Sequence, residues 1–485
     1  SLEKADVIVS VDADPMQRGS TSLRDARGFG SARRLKSTDD SMCRVYAAES
    51  TYTTLGGSAD HRVAVAPSRL PVVVAEIARR VFEMTGADAS LARALGAWDS
   101  RGPSPVSTEW LDAAAEDLVS ANGKAVLIAG QSLPAEAHAL VAAVNRALGA
   151  VGTTVAYVPL DPEAAKHGAG EVAEIVGEMS RGRVKTVVTL NVNPCYDLPT
   201  AMGFEDAFKG VTNRIVLSEG PTETAAHATW QLNAATFLES WGDAVAADGT
   251  VSIIQPLIAP LYDGALSEIE LLALISAERD PADFQTQPHG HDLVRDVWQA
   301  RFDWSDFEKN WKRALHDGLV EGTSQRGTAG LANTAALYRN VAGLLGDLRP
   351  GPVPTDQSLD VVVTTNLMHD GRFANLPWLQ ELPQFGTMVV WDNPALMSPA
   401  TAERFGLTPD PYTVKEPKAQ MATITVDGRS VEMPVWILPG MAENTVVLTQ
   451  GYGRRVSGVV TAGAGFDVQP IRDVSGGRVY SAARV

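Results

Sequence analysis

Val7-Ile8-Val9-Ser10-Val11-Asp12-Ala13-Asp14-Pro15 is the stretch on which the fold turns. Five apolar or small residues in a row suit a strand buried on both faces, as parallel sheets require, and the polar tetrad after them marks the strand's carboxyl end. Reading outward, Cys43 to Ala48 is a second short strand ending at Glu49-Ser50-Thr51, and Val63-Ala64-Val65 a third. A helix is expected from about Leu70 to Met84. Strand, loop and helix in alternation predict a doubly wound, mostly parallel α/β sheet. The pattern then restarts: a helix over Trp110–Ala121, a strand over Ala125–Gly130, a long helix over Pro134–Leu148 and a strand over Val184–Leu190. That last strand ends in Asn191-Val192-Asn193-Pro194, an echo of the first tetrad, and Ile215-Val216-Leu217 follows. The repetition predicts two similar halves.

From Gly290 to about Gly346 the sequence reads as helical, with Trp298, Trp304, Trp311 and Leu315 as core candidates. A Pro/Gly-rich connector over Leu348–Pro354 then changes the character of the chain. Short β-rich segments such as Met388–Trp391, Met421–Val426 and Thr445–Thr449 predict a C-terminal β-barrel-like domain. The expected domains are residues 1–110, an α/β half-domain incomplete at its start; 111–345, a second α/β domain with a helical extension; and 355–485, the barrel. The opening, Ser1-Leu2-Glu3-Lys4-Ala5-Asp6, enters a strand almost at once, which reads as the middle of a domain and predicts a fragment.

The 485 residues are 45% hydrophobic, ample for a core and too apolar for disorder. Forty-one Lys and Arg against 58 Asp and Glu leave a net charge of −17, which repels phosphate backbones and argues against nucleic-acid partners. Cys43 and Cys195 are the two cysteines, so this chain cannot by itself supply the four thiolates of a cubane iron–sulfur cluster. A disulfide framework is excluded as well, although one bridge remains open. No apolar run approaches the length of a membrane span.

Local chemistry is sparse. His289-Gly290-His291 offers two imidazoles without a third ligand nearby, and solvated loop histidines are the simpler reading. Asp60-His61-Arg62 suits either a nucleotide base or a capped turn. Glu239, Asp243 and Asp248 are carboxylates at loop spacing, useful for acid–base work only if burial raises a pKa. The sequence has no nucleophile elbow, no P-loop and no Gly-x-Gly-x-x-Gly after the first strand. Ligands of doubly wound sheets lie beyond the strand carboxyl ends, where both tetrads fall, but Asp, Asn and Pro are also ordinary turn formers.

At these same tetrads the chain resembles the molybdopterin oxidoreductase superfamily. Ala5–Val9 with Asp12–Pro15 is similar to a strand followed by Gly-x-Asn-Pro, and Asn191–Pro194 to its second copy. Glu49-Ser50-Thr51 with Ala59-Asp60-His61-Arg62, Glu223-Thr224-Ala225-Ala226-His227-Ala228, and Trp391-Asp392-Asn393-Pro394 resemble further family segments. Within the superfamily, Glu239–Asp243, Asp248–Tyr262 and Asp370–Pro383 resemble the molybdopterin-like half of the large iron–sulfur subunit of alternative complex III. That complex is a bacterial quinol:electron-acceptor oxidoreductase.

The resemblance implies a cofactor-free, non-catalytic module that scaffolds electron transfer at the periplasmic face of the bacterial inner membrane. Its implied partners are a ferredoxin-like iron–sulfur segment or subunit, a quinol-oxidising integral membrane subunit and cytochrome c subunits, with no membrane span of its own. Iron–sulfur clusters are expected in an adjoining segment or subunit, and no metal site in this chain. Asp12, Asp14, Glu49, Asp60, Asn191, Asn193 and Glu223 would line a vestigial nucleotide pocket. Asp12 and Asn191 replace the glycines that let backbone approach a pyrophosphate, and Asp12 adds like charge worth about 1 kcal/mol or more. The alternative is a fragment of an active molybdenum or tungsten bis-pterin oxidoreductase of the polysulfide-reductase type. A soluble nucleotide-binding protein keeping only the fold is a third reading, disfavoured by the barrel.

Overall fold

The computed structural model describes residues 1–17, 19, 21–158, 169–276, 289–324, 333–407 and 419–485. Its first sheet has the order β3-β2-β1-β4, all parallel, from β1 (Val7–Val11), β2 (Arg44–Glu49), β3 (His61–Ala64) and β4 (Ala125–Ala129). All five residues of β1 are buried, as its uninterrupted apolar run requires. Because β4 pairs directly with β1, this sheet continues past residue 110 and takes in the strand and helix expected to open a second domain. The helix Thr334–Leu344 also joins the first core, where Tyr338 and Val341 cluster with Phe82 and Leu91. The 111–345 segment is therefore shared between two cores.

A second parallel sheet, β5-β6-β7, repeats the theme with β5 (Thr186–Leu190), β6 (Asn213–Ser218) and β7 (Trp230–Asn233). An antiparallel hairpin follows, β8 (Gly242–Val245) and β9 (Val251–Ile254). Helices Gly290–Arg301 and Phe307–Asp317 cover it through buried Trp298 and Trp311, with Trp304 and Leu315 partly buried against them. The expected helical stretch over 325–332 lies outside the described residues.

The C-terminal sheet runs β12-β13-β11-β14-β10-β15, from β10 (Leu359–Thr364), β11 (Ala395–Met397), β12 (Met421–Val426), β13 (Arg429–Ile437), β14 (Thr445–Thr449) and β15 (Val479–Ala483). Thr425 and Arg484 exchange both backbone hydrogen bonds, at 2.8 and 2.9 Å, so the two edge strands meet and the sheet curls into a barrel-like form. Met388–Trp391 is not one of its strands. Met388 and Trp391 both have positive φ, 59° and 60°, a conformation that ends strand pairing. The barrel is fixed to the first sheet where buried Asp360 on β10 accepts from the Ser68 N–H at 3.0 Å and the Ser481 hydroxyl at 2.8 Å. Next to it, buried Arg69 donates to the carbonyls of Gly351 and Pro103, clamping the connector onto the first domain.

One side chain takes the place of a strand. Asn145, buried in the helix Ala135–Ala147, accepts from the Leu127 N–H at 2.9 Å and donates to the Leu127 carbonyl at 2.8 Å. It thereby closes the free edge of β4. Asn145→Ala leaves two buried backbone groups unpaired, an expected loss of about 2–4 kcal/mol. Urea titration should show a lower midpoint at unchanged slope.

Candidate functional site

The two strand-end tetrads have the same backbone. Asp12 and Asn191 both adopt left-handed φ, 54° and 49°, where the family pattern has glycine and where Asp and Asn are the best tolerated substitutes. Each sends its N–H to the neighbouring strand, Asp12 to the Ala48 carbonyl and Asn191 to the Leu217 carbonyl, both at 2.9 Å. Two residues on, Asp14 accepts from the Thr54 N–H at 2.8 Å, and Asn193 accepts from the Thr224 N–H at 3.0 Å. The duplication legible in the sequence is thus a duplication of geometry.

In the first half, Asp12 accepts from the N–H and hydroxyl of Ser50, each at 3.1 Å, and from the Ser132 hydroxyl. Gly130, after β4, lies against it so closely that a Cβ there would sit 1.7 Å from the Asp12 carbonyl oxygen. Buried Glu49 accepts from the Thr53 hydroxyl at 2.6 Å and pairs with Arg62 at 2.5 Å. Burial outweighs these partners and raises the Glu49 pKa. The Arg62 guanidinium lies 3.8 Å over the Tyr52 ring and donates to the Gly440 carbonyl at 2.8 Å, while the Ala442 N–H donates to the Ser50 carbonyl. A barrel-domain loop therefore roofs this strand end.

The second half is roofed in the same way by residues 452–456. Glu223, buried, is bound by Arg454 Nε at 2.9 and 3.1 Å and by the N–H groups of Arg455 and Val456 at 2.8 and 3.0 Å. The Asn193 amide completes its shell at 2.7 Å. Burial pushes this carboxyl up, but the Val456 N–H, Arg454 and Asn193 together hold it below the ordinary glutamate value. Nearby, burial and the Asp370 carboxylate push Asp197 up to about 7.

Six of the seven predicted pocket residues gather at these strand ends. Asp60 does not. It precedes β3 and bonds the Val45 N–H near the start of β2, at the opposite end of the sheet from Asp12. Arg33 binds it with two hydrogen bonds, 2.7 and 2.8 Å, and lowers its pKa. It reads as a structural ion pair between the helix Ser22–Ala32 and the sheet. Gly130, Ser132, Arg454 and Arg455 escaped the sequence reading. A glycine directly after a strand was the signal for Gly130, whereas nothing local marked the arginines.

His291 bonds Asp292 and lies edge-on between Trp241 and Trp311, so it is part of an aromatic cluster. Among the described residues no group of three or more His, Cys, Asp or Glu is arranged to hold a metal. Both cysteines are free, and burial pushes Cys43 up to about 12 and Cys195 up to about 11, so both remain protonated near neutrality.

A pyrophosphate at a strand end needs unengaged N–H donors and a close backbone approach. Here the donors of Ser50, Thr54, Arg455 and Val456 already serve the chain's own carboxylates. Buried Asp14 Oδ1, which has no partner, would face a phosphate with like charge. Arg62 Nη2 and Thr54 Oγ1 also lack partners and are the exceptions. As a set, these residues do not fit a pterin dinucleotide.

Two measurements test this geometry. Glu223→Leu or Arg454→Met alone strands a buried partner and should cost about 3–5 kcal/mol, while the double change Glu223→Leu with Arg454→Met should cost less than the sum. With its pKa raised, Asp197 holds a proton in the native state that the unfolded chain releases above roughly pH 4. Stability should therefore fall as pH rises from about 4 to 7, and Asp197→Asn should flatten that slope in urea titrations across the window.

No model of a known protein family matches the sequence. The menaquinone reductase molybdopterin-binding-like subunit of Nitratidesulfovibrio vulgaris is 22% identical over 505 aligned residues, covering 96% of this chain and 67% of that protein. Acetylene hydratase from Pelobacter acetylenicus shares the fold at a TM-score of 0.62 and 13% identity, across all of this chain and 78% of that one. The duplicated strand ends, the barrel that roofs them and these likenesses along nearly the whole length show that the fold of the chain is molybdopterin oxidoreductase-like.

Proposed function

We propose that this chain is a cofactor-free structural module of a quinol:electron-acceptor oxidoreductase, of the kind found in the large iron–sulfur subunit of alternative complex III. It holds an iron–sulfur segment or subunit in register with a quinol-reactive membrane partner at the periplasmic face, and it performs no chemistry at its own strand ends. The observation that carries this reading is the occupation of both strand ends by internal carboxylates. Asp12 takes the Ser50 and Ser132 donors, and Glu223 takes Arg454 and two successive N–H groups.

An anion offered to these donors must displace a carboxylate that is covalently part of the fold, which costs both the lost hydrogen bonds and a buried like charge. The link to quinone chemistry rests on the likeness to a menaquinone reductase subunit, whose name describes a molybdopterin-binding-like protein. No helix among the described residues is long and apolar enough to cross a membrane, which suits attachment through partner subunits.

Metal and pterin content of the complex purified from its source tests the proposal. The expected result is iron without molybdenum, tungsten or oxidised-pterin fluorescence. Molybdenum or tungsten in stoichiometric amount, with pterin, would overturn it in favour of the bis-pterin enzyme.

A further inference from the structure

Residues 230–262 present large apolar side chains to solvent on a rigid frame. Leu257, Leu261, Tyr262 and Phe237 are 79%, 75%, 69% and 70% exposed, and Trp230 at the start of edge strand β7 is 66% exposed. These loops are not loose. The Leu238 carbonyl accepts from the N–H groups of both Leu257 and Ile258, at 2.8 and 3.2 Å. Buried Glu239 ties both loops together, accepting from the Thr236 N–H and the Leu261 N–H, each at 2.9 Å. Pro256 and Pro260 stand directly before the exposed Leu257 and Leu261, each fixing its own φ. A buried carboxylate thus holds apolar side chains outward, the opposite of what folding alone favours. Preorganisation of this kind lowers the entropy lost on association.

The charge around the loops selects the partner. Between Ile215 and Ser276 the sequence has eight Asp and Glu, six of them not buried once Glu223 and Glu239 are set aside, and no Lys or Arg. Asp263, next to Tyr262, is itself exposed. An anionic lipid surface would repel such a face, and no cationic side chain from this stretch is present to anchor at headgroups.

We infer that the 237–262 face is the docking surface for another polypeptide of the complex, one that presents an apolar centre rimmed by Lys and Arg. Aromatic and leucine side chains at the centre supply burial, and the acidic surround supplies steering and register. The inference rests on the proposed role as a module of a larger assembly.

The test places a photo-crosslinking phenylalanine analogue at Leu257 or Tyr262 of the full-length protein in its native complex, with Val459, also exposed, as the control position. Light should link positions 257 and 262, but not 459, to one other polypeptide through a peptide containing Lys or Arg. Leu257→Asp and Leu261→Asp should each lower co-purification of that polypeptide about tenfold without changing the unfolding midpoint of the isolated chain. Links confined to this polypeptide, links to a second copy or to lipid, or no link at all would overturn the docking face. An iron-containing complex without molybdenum, tungsten or pterin and without the link defeats this inference alone. The link together with stoichiometric molybdenum and pterin defeats the proposed function alone.

Discussion

The Glu223 carboxylate, buried between the second sheet and the barrel, is the interaction on which the arrangement of the second half depends. Arg454, the N–H groups of Arg455 and Val456, and Asn193 all converge on it. A buried charge is tolerable only when its lone pairs are filled, and here every partner but Asn193 comes from the barrel. The barrel cannot move off the strand end without exposing an unpaired carboxylate. Arg454 also donates to the Gly371 carbonyl and lies 5.1 Å over the Tyr196 ring, so one guanidinium ties three segments together.

The first half reaches the same result by other means. Arg62 pairs with Glu49, covers Tyr52 and reaches the Gly440 carbonyl, while Asp360 holds Ser68 and Ser481 at the far side of the same junction. Duplication of the strand-end geometry explains why Asp14 and Asn193 make the same bond to Thr54 and Thr224. It does not extend to the roofs, which use different residues. The strand ends, where doubly wound sheets bind ligand, are here also the seam between the parallel sheets and the barrel.

Much of this was legible in the sequence. The strand of five buried residues, the repeated tetrads and the change to short β segments after the connector are local patterns, and periodicity reports them directly. The change of character ahead of β10 was likewise marked by Pro and Gly. The first domain's extent was not legible, because the pairing of β4 with β1 is a contact between strands more than a hundred residues apart. Met388–Trp391 misled because its apolar residues suit a strand while its backbone at either end is left-handed. Asp60 misled because a motif gives spacing along the chain but not the end of the sheet on which a residue falls.

By itself, then, the sequence determined the two parallel α/β halves, the acidic charge, the lack of an apolar run as long as a membrane span and the substitution of Asp12 and Asn191 for glycine, since each depends on residues close together in the chain. Only the tertiary structure decided what those substitutions mean. Asp12 meets Ser132 from 120 residues away and Glu223 meets Arg454 from 231 residues away, and only folding brings such partners within hydrogen-bond distance. Whether a strand-end carboxylate repels a ligand or replaces one depends on whether donors already converge on it, and that is a property of three-dimensional packing.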